Sequence, residues 1–489
     1  MNMPATSTPL TRQSTGVAGL DEILGGGFIA HRSYLVRGGP GSGKSTLGLQ
    51  FLAAGVAAGE RSLFITLEEP EARIHQAAAA RGIDIHGVEI LDISPGSDFF
   101  CEGDTYDIFS PEEVDRVPVT NQIVDKVKSL KPVRVFLDPM TQFRYLSSDT
   151  FQFRKQALSF LRFLAEQGCT TLLTSEMNLS QPDDDLQFMS DGVLDIETGK
   201  GASVRSIAVT KFRGADFHAG SHTLKLSPTG IDVFPRLQPI EQKSDFVFET
   251  ISSGIPDLDE LLQGGIERGT VTIITGPSGV GKTTLGLQFM KEAAGRGERS
   301  VIYSFEEEAS LMLKRCDGIG IPARSMLNQG TLQIRKVEPL QYSQDEFARL
   351  VREDVEVNNT QIVMLDSTAG FGLSLRGDDL QSRVHALTKY LQNSGVAVII
   401  VNEVSVVTGD FQITEAGISY LADNVIFLRF MEVKGQMRKA IGVLKKRLGD
   451  FEKSLREFEI TRFGIKVGQP LSGLRGILTG NPEFENSAD

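Results

Sequence analysis

One phosphate-gripping pattern occurs twice in this chain of 489 residues. Gly38-Gly39-Pro40-Gly41-Ser42-Gly43-Lys44-Ser45 and Gly276-Pro277-Ser278-Gly279-Val280-Gly281-Lys282-Thr283 both fit G-x-x-x-x-G-K-[ST]. The same run follows each: Thr46-Leu47-Gly48-Leu49-Gln50-Phe51 and Thr284-Leu285-Gly286-Leu287-Gln288-Phe289. A repeated motif with repeated flanks means a duplicated nucleotide-binding domain. Glycines let the backbone bend tightly and approach a phosphate with no side chain between. Loop N–H groups and the helix N-terminus that follows offer donors to the anion. Lys44 and Lys282 are expected on the β- and γ-phosphates, and the Ser45 and Thr283 hydroxyls on Mg²⁺. The remaining expected nucleotide contacts are Gly39, Gly41, Ser42, Gly43 and Thr46 in the first loop, and Gly276, Ser278, Gly279, Val280, Gly281 and Thr284 in the second.

The halves agree beyond the loops. Gly19-Leu20-Asp21-Glu22-Ile23-Leu24-Gly25-Gly26 parallels Asp257-Leu258-Asp259-Glu260-Leu261-Leu262-Gln263-Gly264, a short helix ending in glycine. A strand precedes each P-loop (33–37; 270–275), and a second strand (63–66; 301–304) ends in Glu68-Glu69 or Glu306-Glu307. Later apolar strands end in Asp138 and Asp366, the pattern of a Walker B carboxylate that holds Mg²⁺. Alternating helices and apolar strands predict an α/β fold: two tandem P-loop NTPase domains, each a mostly parallel sheet flanked by helices. Ligands of such sheets sit beyond the strand C-termini, where these motifs fall. The expected organisation is an arm at 1–14, an N-terminal domain at 15–240, a C-terminal domain at 241–467 and a loop and tail at 468–489. The prolines near 235–239 suit an extended linker, and an acidic insertion near 102–118 reads as a loop.

Composition removes several classes. Net charge is −13 with no Trp, which argues against a broad nucleic-acid surface. Three separated cysteines fit reduced thiols in the cytoplasm rather than a zinc site or disulfide framework. No apolar run has membrane-spanning length, and the N-terminus lacks a signal-peptide core.

Hydrolysis needs a water oriented and deprotonated in line with the γ-phosphate. A lone carboxylate pair at a strand end is usually solvated surface. The same pair at the same offset from both P-loops favours Glu68, Glu69, Glu306 and Glu307 as catalytic. A second constellation, Lys211-Phe212-Arg213 and Lys445-Lys446-Arg447, closes each repeat with a K-x-R strand. Two readings stand side by side: Lys211, Arg213, Lys445 and Arg447 act in trans on a neighbouring subunit's phosphates, or they are solubilising surface charge.

At this point the chain resembles the KaiC family, the bacterial clock ATPases of RecA-like fold. The resemblance is carried by the tandem P-loops, the Gly-Leu-Asp-Glu helix, the Glu-Glu strands and the K-x-R strands, and runs from about Ser14 to Asn481. It implies a double-ring homohexamer with ATP between subunits, a slow ATPase in the N-terminal ring, and an autokinase and autophosphatase in the C-terminal ring. It also implies Glu306 as the base for phosphoryl transfer. The family's acceptor stretch matches 413–426, with Ser419 on the serine, Tyr420 in place of the threonine and Thr414 on a nearby threonine. A phenol in place of Thr is bulkier and presents its oxygen further from the backbone, a departure from the family's ordered two-site cycle, so single-site phosphorylation of Ser419 is the expectation. Gln187, Phe188 and Pro182 occupy the equivalent positions of repeat one, so kinase chemistry is expected in one half only. Few residues follow Asn481, which implies a member that does not bind KaiA. A KaiB-like partner on the first ring stays open.

Two other classes compete with an ATP-driven timer or signalling switch. A RecA- or DnaB-like DNA-dependent ATPase would need a basic, aromatic single-strand channel. A scaffold using ATP only as glue would not need two intact sets of P-loop, glutamate pair and Walker B aspartate.

Overall fold

The computed structural model describes residues 10–95, 116–144, 150–176, 183–199, 205–238, 246–374, 380–404, 419–476 and 483–484. The chain divides into two compact units between Arg236 and Leu237. The linker boundary expected at 240/241 lies outside the described residues, as does the insertion up to residue 115.

The N-terminal unit runs α1 (Ala18–Ile23), β1 (Ser33–Gly38), α2 (Lys44–Ala57), β2 (Ser62–Thr66), α3 (Glu71–Ala80), β3 (Val88–Asp92), α4 (Arg116–Leu130), β4 (Arg134–Asp138), α5 (Thr150–Glu166), β5 (Thr170–Glu176), α6 (Asp184–Met189), β6 (Gly192–Thr198), β7 (Arg205–Phe212), β8 (Ser221–Ser227) and β9 (Gly230–Phe234). Its nine-stranded sheet has the order β3-β2-β4-β5-β1-β6-β7-β8-β9. Pairing is parallel from β3 to β6 and antiparallel from there to β9. The sheet is thus mostly parallel as expected, with an antiparallel extension that the apolar pattern did not announce. Near the start of this unit Arg12–Gln13, inside the segment expected to be an arm, pairs with Phe28–Ile29.

The C-terminal unit repeats the plan: α7 (Pro256–Leu261), β10 (Val271–Gly276), α8 (Lys282–Gly295), β11 (Arg299–Ser304), α9 (Ala309–Gly318), α10 (Ala323–Asn328), β12 (Leu332–Lys336), α11 (Gln344–Glu356), β13 (Thr360–Asp366), α12 (Thr368–Ser374), α13 (Leu380–Asn393), β14 (Ala397–Glu403), β15 (Asn424–Val433), β16 (Gln436–Lys446), β17 (Arg456–Thr461) and β18 (Gly464–Pro470). Its sheet, β12-β11-β13-β14-β10-β15-β16-β17-β18, is the same order strand for strand.

Strand alternation divides each core into two layers. In the N-terminal sheet Val36, Phe64 and Phe136 pack under α1 and α2, while Leu35, Ile65 and Leu137 pack on the opposite face against Phe153 and Leu161 of α5. Ile274, Ile302 and Met364 face one way in the second sheet, and Ile273, Tyr303 and Leu365 the other. The glycine inside each T-L-G-L-Q-F run has a packing cause. A Cβ on Gly48 would lie 2.2 Å from the Phe136 ring, and one on Gly286 2.4 Å from Met364 Sδ. Only glycine lets the P-loop helix sit this close to the Walker B strand, so the helix N-terminus and the aspartate share one sheet edge.

Candidate functional site

Register places the chemistry. Thr66 lies beside Asp138 on β2 and β4, and Ser304 beside Asp366 on β11 and β13. The glutamate pairs two residues further therefore project past the sheet edge next to the aspartates. Each pair is held by the same turn: Thr66 Oγ1 donates to the Glu69 carbonyl at 2.7 Å, and Ser304 Oγ to the Glu307 carbonyl at 2.6 Å.

Both P-loops enter their helix through a left-handed glycine, Gly43 at φ 113° and Gly281 at φ 117°. L side chains avoid that conformation, so the motif's last glycine is required by the turn. The face a phosphate would occupy is open, with no heavy atom within 4 Å of a Cβ built on Gly39, Gly41 or Gly279. Lys44 Nζ donates to the carbonyls of Gly38 at 2.7 Å and Gly39 at 3.1 Å, and Lys282 Nζ to that of Pro277 at 2.9 Å. Burial pushes the Lys282 ammonium below its ordinary range, while Glu403, Asp366 and Glu306 pull it back up.

The Walker hydroxyl and aspartate meet in both halves. Ser45 Oγ donates to Asp138 Oδ2 at 2.6 Å, and Thr283 Oγ1 to Asp366 Oδ2 at 2.8 Å. Thr174 supplies Asp138 with a second hydroxyl; Val401 stands at the equivalent point of β14 and supplies none. Burial lifts the Asp366 carboxyl to about 6, helped by Glu307 and Glu306 and opposed by Thr283 and Arg315. A hydroxyl beside a carboxylate next to an open phosphate cradle is an oxygen donor set that fits Mg²⁺. In the C-terminal unit these groups surround a cavity of about 410 Å³, lined by Lys282, Thr283, Glu306, Glu307, Asp366 and Lys439 among others.

Several neighbours were not legible as site residues. Ser367 Oγ, directly after the Walker aspartate, donates to Glu306 Oε1. Gly370 gives that carboxylate its room, since a Cβ there would lie 3.0 Å from Glu306 Oε1 and 2.7 Å from the Phe305 side chain. Arg315 pairs with Glu307 at 2.9 Å. The only available signal was position: the residue after a Walker aspartate, and a cation two helical turns beyond the glutamates.

The K-x-R strands lie in the antiparallel extension. Each carries a bulge one residue before its lysine, at Thr210 and Leu444, where the pairing of β6 with β7 and of β15 with β16 shifts register. Lys211 Nζ donates to the carbonyls of Gln187 at 2.7 Å and Phe188 at 3.2 Å, and Lys445 Nζ to that of Ala422 at 2.6 Å. Burial and the nearby Arg213 depress the Lys211 ammonium. Arg447 pairs with the buried Asp423 at 3.0 Å, and Arg213 donates its backbone N–H to the Asp191 carbonyl at 2.9 Å. Within one chain, therefore, the K-x-R residues bind the segments that carry the candidate acceptor positions and their repeat-one equivalents. Ser419 opens a 3₁₀ turn, Ser419–Leu421. Tyr420 is 53% exposed and stacks on His385, with ring centroids 5.9 Å apart. Thr414 lies outside the described residues.

Two P-loop sites on duplicated RecA-like sheets define a tandem P-loop ATPase. The family model described as "ATPase: KaiC" matches residues 13–238 and again 251–472, so the chain belongs to the KaiC family of ATPases. It is 27% identical over 493 residues to circadian clock protein KaiC3 of Synechocystis, covering 97% of this chain and 95% of that protein. It is 28% identical over 487 residues to circadian clock oscillator protein KaiC of Prochlorococcus marinus subsp. pastoris, covering 96% and 93%. Among the described residues no helix is long and apolar enough to cross a membrane.

Proposed function

We propose that this KaiC-family ATPase hydrolyses ATP at both P-loop sites and transfers phosphate to its own Ser419 at the C-terminal one, acting as a cytoplasmic timer or signalling switch. The observation that carries this reading is the twofold recurrence of one constellation: phosphate cradle, Walker hydroxyl on Walker aspartate, and glutamate pair at the adjacent strand end.

The roles follow from placement. Loop N–H groups, with Lys44 or Lys282, hold the β- and γ-phosphates. Ser45 and Asp138 in one site, and Thr283 and Asp366 in the other, would hold Mg²⁺, which would supply positive charge to offset the negative charge that builds on the leaving group. Glu68 or Glu306 accepts the proton of the attacking O–H as the new P–O bond forms and ADP departs with the electrons of the broken bond. The attacking oxygen is water for hydrolysis. In the C-terminal domain it is also the Ser419 hydroxyl, with Thr414 and Tyr420 as further acceptors. Glu69 and Glu307 stand beside the bases.

The particle is a homohexamer with ATP between subunits, in which Lys211, Arg213, Lys445 and Arg447 leave their intrachain carbonyls and carboxylates for a neighbour's phosphates. Nucleotide at each interface then stabilises the ring by mass action. A phosphate on Ser419 adds charge beside Tyr420 and biases the ring's conformational equilibrium. A KaiB-like protein is the partner class we propose for the first ring, by likeness to the family.

The deciding experiment is time-resolved phosphosite mapping with ATP, alongside light scattering. Expected are phosphate on Ser419 that rises and falls, and a ring that assembles with ATP. No phosphate at residues 410–425 removes the autokinase, and a monomer in saturating ATP removes the ring.

A further inference from the structure

The two glutamate pairs occupy the same strand ends and the same turn, and the carboxylates of the C-terminal pair have further side-chain partners. In the C-terminal domain Ser367 Oγ donates to Glu306 Oε1, and the guanidinium of Arg315 on α9 pairs with Glu307 Oε2 at 2.9 Å. Counted from the glutamates, the N-terminal equivalent of Arg315 is Ala77. Counted from the Walker aspartates, the equivalent of Ser367 is Pro139. A methyl group and a pyrrolidine ring donate no hydrogen bond.

Arg315 lies on the wall of the cavity that holds the P-loop, Glu306 and Asp366. Helical side chains tilt toward their helix N-terminus, so a residue in the last turns of α9 leans back toward the strand end where Glu307 sits. Its side chain is 38% exposed and that of Glu307 26%. A pair this wet contributes little to stability. Its value lies in charge. Glu306, Glu307, Asp366 and Glu403 bring four carboxylates to a cavity that must take a polyphosphate, against Lys282, Lys439 and Arg315.

We infer that Arg315 is a positioning residue of the C-terminal site: it fixes and neutralises Glu307, so that Glu306, held by Ser367, is the single carboxylate left to take the proton. Without it, an uncompensated Glu307 competes as proton acceptor and repels the γ-phosphate from the attack position. At the two equivalent positions of the N-terminal domain, Ala77 and Pro139 cannot supply these side-chain donors. The inference rests on the reading of Glu306 as base.

The test uses the full chain carrying Glu68→Gln, so that turnover reports the C-terminal site. Arg315→Ala is expected to lower kcat for ATP hydrolysis by about tenfold, with KM changed by less than about twofold. Arg315→Lys, which keeps the charge, is expected to recover most of the loss. Adding Glu307→Gln to Arg315→Ala is expected to bring kcat back to within about threefold of the parent, because the charge that Arg315 offsets is gone. A merely structural role would not be rescued by a change at Glu307. The inference fails if Arg315→Ala turns over at the parent rate, if the double variant is as slow as the single, or if the loss falls on KM alone. Failure of the underlying reading looks different: Glu306→Gln would then retain turnover whatever stands at position 315.

Discussion

The two domains share a frame strand for strand and differ in what is tied down behind it. In repeat one the stretch opposite the candidate acceptor segment is fastened by a buried charge network. Arg37 at the end of β1 pairs with Asp183 and Asp195, each at 2.9 Å. Ser175 Oγ donates to Asp183 at 2.6 Å and Gln187 Nε2 at 3.0 Å. These contacts hold the Asp183 carboxyl below its ordinary range against the burial that would raise it. Repeat two has Thr275 and Phe427 where repeat one has Arg37 and Asp195, so it cannot build this lock. Gln187 is itself one of the locked residues, and its equivalent is Ser419. Duplication has kept the phosphate cradle in both halves while changing the side chains around it. Repeat one holds Asp183 with Arg37, Ser175 and Gln187; repeat two has Ser419 at the position of Gln187, and Ser367 and Arg315 engage its glutamates.

The sharpest way to break the comparison is to remove each base. Glu68→Gln and Glu306→Gln should each lower turnover at their own site by about 100-fold or more while leaving the other site working. Only Glu306→Gln should abolish phosphate on Ser419. ATP turnover and phosphosite mapping on the two single variants and the double check this, and unchanged total hydrolysis in the double variant would mean that the glutamates are not the bases. Next in size is the lock. Arg37→Ala leaves Asp183, 3% exposed, without its cation, and should destabilise the N-terminal domain by about 3 kcal/mol. Domain-resolved thermal unfolding reads this, and an unmoved N-terminal transition would show that the network does not fasten the segment.

A smaller effect separates the helix–strand contacts. Gly48→Ala drives its methyl into the rigid Phe136 ring and should cost about 1–3 kcal/mol. Gly286→Ala meets the thioether of Met364, which can swing aside. The N-terminal transition should therefore fall further than the C-terminal one. Equal shifts would show that the two contacts are equally unyielding.

How much of this is legible in the sequence depends on whether a feature is local. The P-loops, the glutamate pairs and the Walker aspartates are short motifs on strand ends, and their doubling makes them readable without coordinates. The antiparallel extension is less so: β7 to β9 and β16 to β18 are half-exposed strands with no motif of their own beyond the K-x-R pattern at the ends of β7 and β16. Ser367, Gly370 and Arg315 were invisible for another reason. Their role depends on β13 and α9 converging on Glu306 and Glu307 in space, and no spacing rule links them. The Arg37–Asp183 lock likewise joins residues far apart in the chain, and strand pairing alone brings them together.

The finest difference concerns protons at the Walker aspartates. Asp138 accepts from two hydroxyls, Asp366 from one, and burial lifts Asp366 from its ordinary 3.8 to about 6. Because the folded value is the higher one, the folded metal-free chain binds more protons than the unfolded chain between these limits. Stability from this group is therefore full below about pH 4 and is lost as pH rises through about 6. A cation on the carboxylate must displace the same proton. Mg²⁺ binding with ADP should thus release about half a proton from this group at pH 6 and almost none at pH 8. Calorimetry in buffers of different ionisation enthalpy measures the release. Asp366→Asn should remove it. A release that survives Asp366→Asn would locate the proton elsewhere.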